Sequence, residues 1–233
     1  PTNYGDFQDK VDAIIKNVRD NGDKAVFDYT AQFDKAEINA ENILVTEEEI
    51  KEAYEEVDDE LIKVIRKAIK NIRDFHEKQI QKSWFETRED GVMLGQKVTP
   101  METCGVYVPG GKAVYPSSVL MNIVPAHVAG VKNIIMTTPP GKDGKVTANT
   151  LVAAKEAGAT KVYKVGGAQA IAAMAFGTES IPKVDKIVGP GNIFVALAKK
   201  AVYGNVSIDS IAGPSEILVL ADETANPRYV AAD

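Results

Sequence analysis

A glycine-rich turn recurs four times between residues 106 and 216, each time directly after a short apolar run. The four stretches are Val106-Tyr107-Val108-Pro109-Gly110-Gly111, Val162-Tyr163-Lys164-Val165-Gly166-Gly167, Ile187-Val188-Gly189-Pro190-Gly191-Asn192 and Ile208-Asp209-Ser210-Ile211-Ala212-Gly213-Pro214-Ser215. A helix-period segment follows each of the first three. A strand that ends in glycine and leads into a helix is the unit of an open parallel α/β sheet, which binds ligands at the carboxyl ends of its strands. The sequence therefore predicts a Rossmann-like α/β fold with its ligand site at these turns.

The composition argues against several classes of function. The 233 residues are 45% hydrophobic, enough for one large or two ordinary domains. A formal net charge of −6 disfavours nucleic acid and membrane surfaces as partners, because both select basic proteins. No apolar run approaches the roughly 18 residues that span a bilayer, and the N-terminus lacks the pattern of a secretory signal. A single cysteine excludes an internal disulfide. Together these features predict a soluble cytoplasmic protein.

The N-terminal region, residues 6–82, predicts charged helices, because apolar residues recur there at helical spacing. Asp23 is the expected N-cap of the second helix. Thr46 and Glu49 have the spacing of a capping box, which predicts a helix start at this point.

A change of period at residue 83 predicts a β-hairpin, with strands over 84–87 and 92–95 on either side of Asp90-Gly91. From residue 106 onward the strand–turn–helix pattern begins. It includes a predicted strand over 133–138 and a predicted helix over 148–157.

The glycine-rich turns indicate an anion or nucleotide site only when taken together. A helix N-terminus carries partial positive charge, and glycine lets a phosphate or carboxylate approach its backbone closely. The dinucleotide fingerprint is imperfect, however, because Phe194 stands where the third glycine would follow Gly189 and Gly191. No turn matches the P-loop pattern, and each turn alone is also explained by tight packing of a strand against a helix.

Four polar residues lie in or beside the turns: Tyr107, Gln169, Asn192 and Ser215. An amide at a helix start can bind a ribose or a carboxamide, but Asn192 can equally serve as a helix cap. Glutamine is a poor cap, so a ligand explains Gln169 better.

The turn motifs resemble those of the histidinol dehydrogenase family. The matching stretches are 106–111, 165–173, 184–192 and 208–216, in the family's order. The resemblance implies oxidation of L-histidinol to L-histidine, through an enzyme-bound aldehyde, in two hydride transfers to NAD. It also implies a zinc ion that holds the substrate and a homodimer. By the motifs, Tyr107, Gln169 and Asn192 would contact NAD, and Ser215 would contact the substrate.

The sequence departs from the family at its end. The family's zinc ligands and its Glu-His acid/base pair do not occur in these residues and are expected beyond residue 233. The two histidines, His76 and His127, have no second histidine or cysteine at ligand spacing and are interpreted as structural. We therefore expect an N-terminal portion of the enzyme, catalytically incomplete by itself, with neither catalytic nor metal-binding residues among these 233.

The resemblance implies three parts. Residues 1–105 would form the helices, the hairpin and the front of a first α/β domain. Residues 106–215 would form a complete, inserted NAD-binding domain. Residues 216–233 would return to the first, incomplete domain, beginning with a strand over 217–221.

Two alternatives stay open from the residues. One is a nucleotide-binding module without catalysis, and the other is a dehydrogenase of a related amino alcohol. A thiol mechanism through Cys104 is a further possibility, because aldehyde oxidation can use a thiol nucleophile. No cationic side chain lies within two positions to activate it and Glu102 would raise its pKa, so an inert, buried cysteine is expected.

Overall fold

The computed structural model describes residues 5–110, 115–211 and 217–232, which form a mixed α/β fold. The helices are α1 (Gly5–Asn21), α2 (Asp23–Phe33), α3 (Glu47–Glu56), α4 (Asp59–His76), α5 (Pro116–Val128), α6 (Ala148–Ala157), α7 (Gly167–Phe176), α8 (Ile193–Val202) and α9 (Pro227–Val230). The strands are β1 (Trp84–Thr87), β2 (Met93–Gln96), β3 (Thr103–Tyr107), β4 (Asn133–Thr138), β5 (Lys161–Lys164), β6 (Lys186–Val188) and β7 (Ser207–Ile208).

Strands β3 to β7 form one parallel sheet in the order β5-β4-β3-β6-β7. The chain starts at the central strand β3, adds two strands on one side, and then crosses to the other side for β6 and β7. This is the order of a doubly wound dinucleotide-binding fold. The predicted Rossmann-like α/β class is confirmed, as are the strand over 133–138 and the helix over 148–157.

The helices cover both faces of this sheet and enclose two apolar cores. On one face α1 and α2 pack with α7 and α8, and on the other face α3 and α4 pack with α5 and α6. Successive side chains of β3 point to opposite faces of the sheet, so Val106 packs in one core and Tyr107 in the other. The N-terminal helices thus form outer layers of the same sheet. The domain boundaries at 105 and 215 stay predictions.

Capping of the N-terminal helices follows the sequence prediction at α3 but not at α2. Thr46 Oγ1 accepts from the Glu49 N–H at 3.2 Å and Glu49 Oε2 accepts from the Thr46 N–H at 2.9 Å, so the capping box is confirmed. The prediction for Asp23 is wrong. Gly22 is the N-cap of α2, and the Asp23 carboxylate instead accepts from Ser180, a tertiary contact that no local pattern reveals.

The hairpin over β1 and β2 is confirmed, with Trp84 opposite Gln96.

The predicted strand over 217–221 is wrong, because this segment forms no strand pairing with any described residue. Its side chains lie open to solvent, with Leu218 90% and Leu220 95% exposed. An apolar sequence makes a strand only where a neighbouring strand accepts its hydrogen bonds.

None of the helices within the described ranges is long and apolar enough to cross a membrane.

Candidate functional site

The sheet has its switch point between β3 and β6, where the chain changes the direction in which it adds strands. The helices that follow these two strands, α5 and α8, pack into the cores on opposite faces, which leaves a crevice at the carboxyl edge. A cavity of about 1030 Å³ lies at this edge. The ends of β3 and β4, the start of α7 and the loop before α8 line this cavity. Asp34 lines it from outside the sheet. The other lining residues include Tyr107, Pro109, Gly110, Thr138, Pro139, Gly167, Gln169, Asn192 and Phe194. Three of the predicted site residues, Tyr107, Gln169 and Asn192, therefore meet in one cavity.

Tyr107 fixes the turn at the start of α7. Its ring is buried in the core, and its hydroxyl oxygen accepts a hydrogen bond from the Gly167 N–H at 3.0 Å. Burial raises the pKa of this hydroxyl, and the nearby Asp34 carboxylate raises it further, although the Gly167 hydrogen bond opposes them. The hydroxyl therefore keeps its proton at neutral pH and can still donate a hydrogen bond to a ligand in the cavity.

Gln169 brings a buried polar atom without a described partner to the cavity wall. Its side chain is only 1% exposed, and its Oε1 has no hydrogen-bond partner among the described residues. A buried amide oxygen without a partner costs about 1–3 kcal/mol, so native proteins seldom keep one without a reason. A bound group that supplies the missing hydrogen bond is such a reason.

Asn192 plays the capping role that the sequence left open. Its Oδ1 accepts from the Val195 N–H at 3.2 Å and caps α8, while the residue itself is exposed at the cavity rim. Capping does not prevent a ligand contact, which stays a prediction. Ser215, the predicted substrate contact, lies outside the described residues.

The loop between β6 and α8 is held by two residues that sequence reasoning missed. Lys199, on the buried face of α8, donates to the Gly189 carbonyl at 2.8 Å, and Asp209 Oδ2 accepts from the Gly189 N–H at 2.9 Å. Lys199 and Asp209 also form an ion pair with each other. Burial alone would raise the pKa of Asp209, but the hydrogen bonds from Lys199, Gly189 and Ser210 lower it.

Asp34 is a second residue that the sequence did not single out. It lies at the C-terminal end of α2 and lines the cavity, yet its Oδ2 is buried and has no hydrogen-bond partner in the described part of the chain. Burial raises the pKa of its carboxyl from 3.8 to about 6. The carboxyl is therefore mostly ionised at neutral pH, although its buried Oδ2 has no hydrogen-bond donor among the described residues.

Neither a metal centre nor an active thiol is found in the described ranges. Residues 5–110, 115–211 and 217–232 contain no group of three His, Cys, Asp or Glu side chains that could hold a metal ion. His76 Nδ1 lies 2.6 Å from Gln79 Oε1 on the surface. Cys104 lies buried on the central strand β3, and burial raises the pKa of its thiol to about 11. Such a thiol is a poor nucleophile at neutral pH.

A family model described as histidinol dehydrogenase matches residues 2–233. The chain belongs to the histidinol dehydrogenase family. It is 62% identical over 223 residues to histidinol dehydrogenase of Bacillus subtilis, covering 96% of this chain and 52% of that protein. It is 61% identical over 220 residues to the Clostridium acetobutylicum enzyme, covering 94% of this chain and 51% of that protein. The crystal structure of histidinol dehydrogenase from Elizabethkingia anophelis matches with a TM-score of 0.89 at 43% identity, covering 100% of this chain and 53% of that one.

The histidinol dehydrogenase resemblance predicted from the four turn motifs is confirmed. The chain spans about half the length of these relatives. The individual contacts of Tyr107, Gln169 and Asn192 stay predictions.

Proposed function

We propose that this chain forms the cofactor-binding part of an NAD- and zinc-dependent histidinol dehydrogenase, which oxidises L-histidinol to L-histidine through the aldehyde. The observation that carries the proposal is the buried amide oxygen of Gln169, which has no partner among the described residues and belongs to a side chain in a cavity at the switch point of a doubly wound sheet. Family membership supplies the reaction class.

The residues that line the cavity fit a dinucleotide. Gln169 offers a preorganised amide to a polar edge of the cofactor. Gly166 and Gly167 open α7 at the cavity wall, where the helix N-terminus favours a pyrophosphate. Tyr107 fixes this turn and keeps a hydroxyl proton to donate, and Asn192 holds α8 at the opposite rim.

NAD, when bound, supplies the hydride acceptor, and the protein supplies binding and orientation. We assign the zinc ligands to residues other than those described, because the described ranges contain no cluster that fits zinc. The acid/base groups are assigned to such residues as well. The homodimer is proposed from the family resemblance. Ser215 is proposed to contact L-histidinol. A biosynthetic reaction with a soluble cofactor suits a cytoplasmic location, which is proposed with it.

The test compares Gln169→Ala with Gln81→Ala in the protein expressed from its complete open reading frame. Gln81 is exposed and lies outside the cavity, so it controls for the substitution itself. Calorimetry would measure the dissociation constant of NAD, absorbance would follow histidinol-dependent NADH formation, and metal analysis would give the zinc content. We expect Gln169→Ala to weaken NAD roughly 10-fold or more, with zinc content unchanged.

Each other outcome has a distinct meaning. Unchanged NAD affinity in Gln169→Ala would contradict the assignment of Gln169. NAD binding by the unaltered protein without histidinol oxidation would favour the non-catalytic nucleotide-binding module. Loss of zinc together with NAD affinity would show that Gln169 supports the fold rather than the cofactor.

A further inference from the structure

A single carboxylate, that of Asp209, joins two of the four glycine-rich turns. Its Oδ2 accepts a hydrogen bond at 2.9 Å from the N–H of Gly189, which lies in the third turn, 187–192. Its Oδ1 accepts a hydrogen bond at 2.7 Å from the N–H of Ser210, which lies with Asp209 in the fourth turn, 208–215. Each oxygen therefore holds the backbone of a different turn.

Lys199 secures the same junction from α8. Its ammonium donates to the Gly189 carbonyl at 2.8 Å and forms an ion pair with Asp209, so both backbone polar groups of Gly189 have charged partners. Hydrogen bonds to charged groups are stronger than neutral ones, and the low dielectric of a protein interior strengthens them further. The third turn is thus held firmly against Asp209.

The third turn is also confined on its other side. The α-carbon of Gly189 lies against the end of β3, where an added Cβ would overlap the Tyr107 carbonyl oxygen. The hydroxyl of Tyr107 in turn accepts from the Gly167 N–H at 3.0 Å, at the start of α7. A change at Asp209 would therefore alter the spacing of the third and fourth turns, while the third turn keeps its contact with β3.

Each of these two turns carries a residue predicted to contact a different reactant. The third turn ends at Asn192, which lines the cavity and is predicted to contact NAD. The fourth turn ends at Ser215, which is predicted to contact L-histidinol and lies outside the described residues. Asp209 and Lys199 are not among the described residues that line the cavity, so any effect on the reactants passes through the turns.

We propose that Asp209 is a positioning residue for hydride transfer, because its carboxylate sets the spacing between the turn that holds NAD and the turn that holds L-histidinol. In this step a C–H bond of the carbinol carbon breaks, the hydride goes to NAD, and the alcohol proton goes to a base outside the described residues. The inference rests on the proposed function, since it requires both reactants at these turns. It goes beyond that function by assigning their alignment to a residue outside the cavity.

The experiment compares Asp209→Asn with Asp185→Asn in the protein expressed from its complete open reading frame. Asparagine keeps the size of the side chain but has one oxygen, so it cannot keep both turns bound as the carboxylate does. Asp185 is the matched control, because its carboxylate also joins two segments. It accepts from the Glu102 and Thr103 N–H groups at 3.1 and 2.9 Å, at the edge of the sheet where β3 and β6 begin, opposite the cavity.

Four measurements separate alignment from binding and from folding. Urea unfolding gives the stability, and calorimetry gives the dissociation constant of NAD. Hydrogen exchange without either reactant reports the backbone protection of residues 187–192. Steady-state kinetics with L-histidinol, unlabelled and deuterated at the carbinol carbon, gives kcat, KM and the isotope effect on kcat.

We expect Asp209→Asn to lower kcat roughly 10- to 100-fold, because a displacement of about 1 Å between reacting atoms has an effect of this size. The dissociation constant of NAD and the KM for L-histidinol should change less than about 3-fold, and the isotope effect should rise as hydride transfer becomes the slow step. Exchange at 187–192 should become at least about 10-fold faster. Asp185→Asn should lower stability and leave kcat, the isotope effect and this exchange unchanged.

Asp209→Glu keeps the charge but moves it by one methylene group, and it covers the case in which Asp209→Asn does not fold. It should keep the ion pair with Lys199 and still lower kcat at least about 10-fold. Full activity of Asp209→Glu would overturn the inference, because charge alone would then suffice. Failure of both Asp209 variants to fold would overturn it as well, because the carboxylate would then serve the fold.

Two further results would overturn the inference and leave the proposed function intact. One is a folded Asp209→Asn that loses NAD affinity at unchanged kcat, and the other is an equal loss of kcat in Asp209→Asn and Asp185→Asn. Failure of the unaltered protein to reduce NAD with L-histidinol would instead overturn the proposed function itself.

Discussion

Lys199 and Asp209 form an ion pair across Gly189 and bind both of its backbone polar groups. The lysine ammonium donates to the Gly189 carbonyl at 2.8 Å, and the aspartate accepts from its N–H at 2.9 Å. The pair joins α8 to the segment after β7 and fixes the loop that leads to Asn192. One wall of the cavity thus depends on a charge pair in which the lysine side chain is only 8% exposed.

Lys199→Met should destabilise the protein by about 2–3 kcal/mol, because it leaves Asp209 and the Gly189 carbonyl without their buried partner. The matched control is Lys200→Met, which changes the next residue of α8, an exposed one, and should cost less than about 0.5 kcal/mol. Urea unfolding of both variants measures the difference. Equal stability of the two variants would mean that the ion pair contributes nothing to the fold.

Gly189 is also fixed by its backbone conformation, with φ at +116°. A Cβ at this position would lie 2.1 Å from the Tyr107 carbonyl oxygen, whereas Gly204, with φ at +102°, has open space around it. Gly204→Ala should therefore cost about 1 kcal/mol for backbone strain alone. Gly189→Ala should cost at least about 3 kcal/mol because it adds a backbone clash. Thermal unfolding of both variants is the measurement, and similar losses would show that the loop relaxes around the added methyl group.

The elements that the sequence predicted correctly are those encoded by local pattern. Glycine-terminated apolar runs gave the strand–turn–helix order, and Thr46 with Glu49 gave the start of α3. The errors at Asp23 and at 217–221 share one cause, because both outcomes depend on distant partners. Ser180 engages the Asp23 carboxylate, and no described strand pairs with 217–221.

The residues of the candidate site could likewise be predicted only where a local sequence pattern marks them. Gln169 was found because glutamine is an unusual choice at a helix start. Lys199 carried a signal that could have been used, since it shares the buried stripe of α8 with Val195, Ala198 and Val202. Asp34 carried none, because an aspartate at the end of a helix is ordinary, and only the packing of α2 and α7 places it at the cavity.

Cys104 should react slowly with thiol reagents in the folded protein. Burial raises its pKa to about 11, so little thiolate forms at pH 8 and access is blocked as well. Modification by a maleimide at pH 8, followed by mass spectrometry of the Cys104 peptide, should be at least about 100-fold slower in native protein than in urea. Rapid native labelling, or loss of turnover by about a thousandfold in Cys104→Ala, would restore the thiol mechanism.

Gln169→Met should stabilise the protein without cofactor while impairing NAD binding. The substitution keeps the volume of a side chain that is 1% exposed and removes an amide oxygen without a described partner. We expect a gain of about 1 kcal/mol in the absence of NAD, because the desolvation cost disappears. Added NAD should raise the melting temperature of the unaltered protein much more than that of the variant. Gln81→Met, at an exposed position, should change neither quantity, and a less stable Gln169→Met would show that the amide supports the fold.

Asp34 should make stability depend on pH between about 4 and 6. Burial raises its pKa from 3.8 to about 6, so the folded state binds a proton more tightly than the unfolded state. The carboxylate therefore destabilises the fold above pH 6, and this penalty disappears as the pH falls below about 4, where both states are protonated.

Asp34→Asn should remove this penalty. A shift of this size corresponds to at most about 3 kcal/mol, and the partial exposure of the side chain reduces the expected effect to about 1 kcal/mol. The variant without cofactor should be more stable than the unaltered protein at pH 7.5 by that amount, and equally stable near pH 4. The control Asp28→Asn, at an exposed position of the same helix, should shift stability by less than about 0.5 kcal/mol. A stability difference at pH 7.5 that persists unchanged at pH 4 would show that Asp34 acts through packing rather than charge. The expected result would mean that the protein keeps a carboxylate that weakens its fold at neutral pH, as a residue retained for a ligand would do.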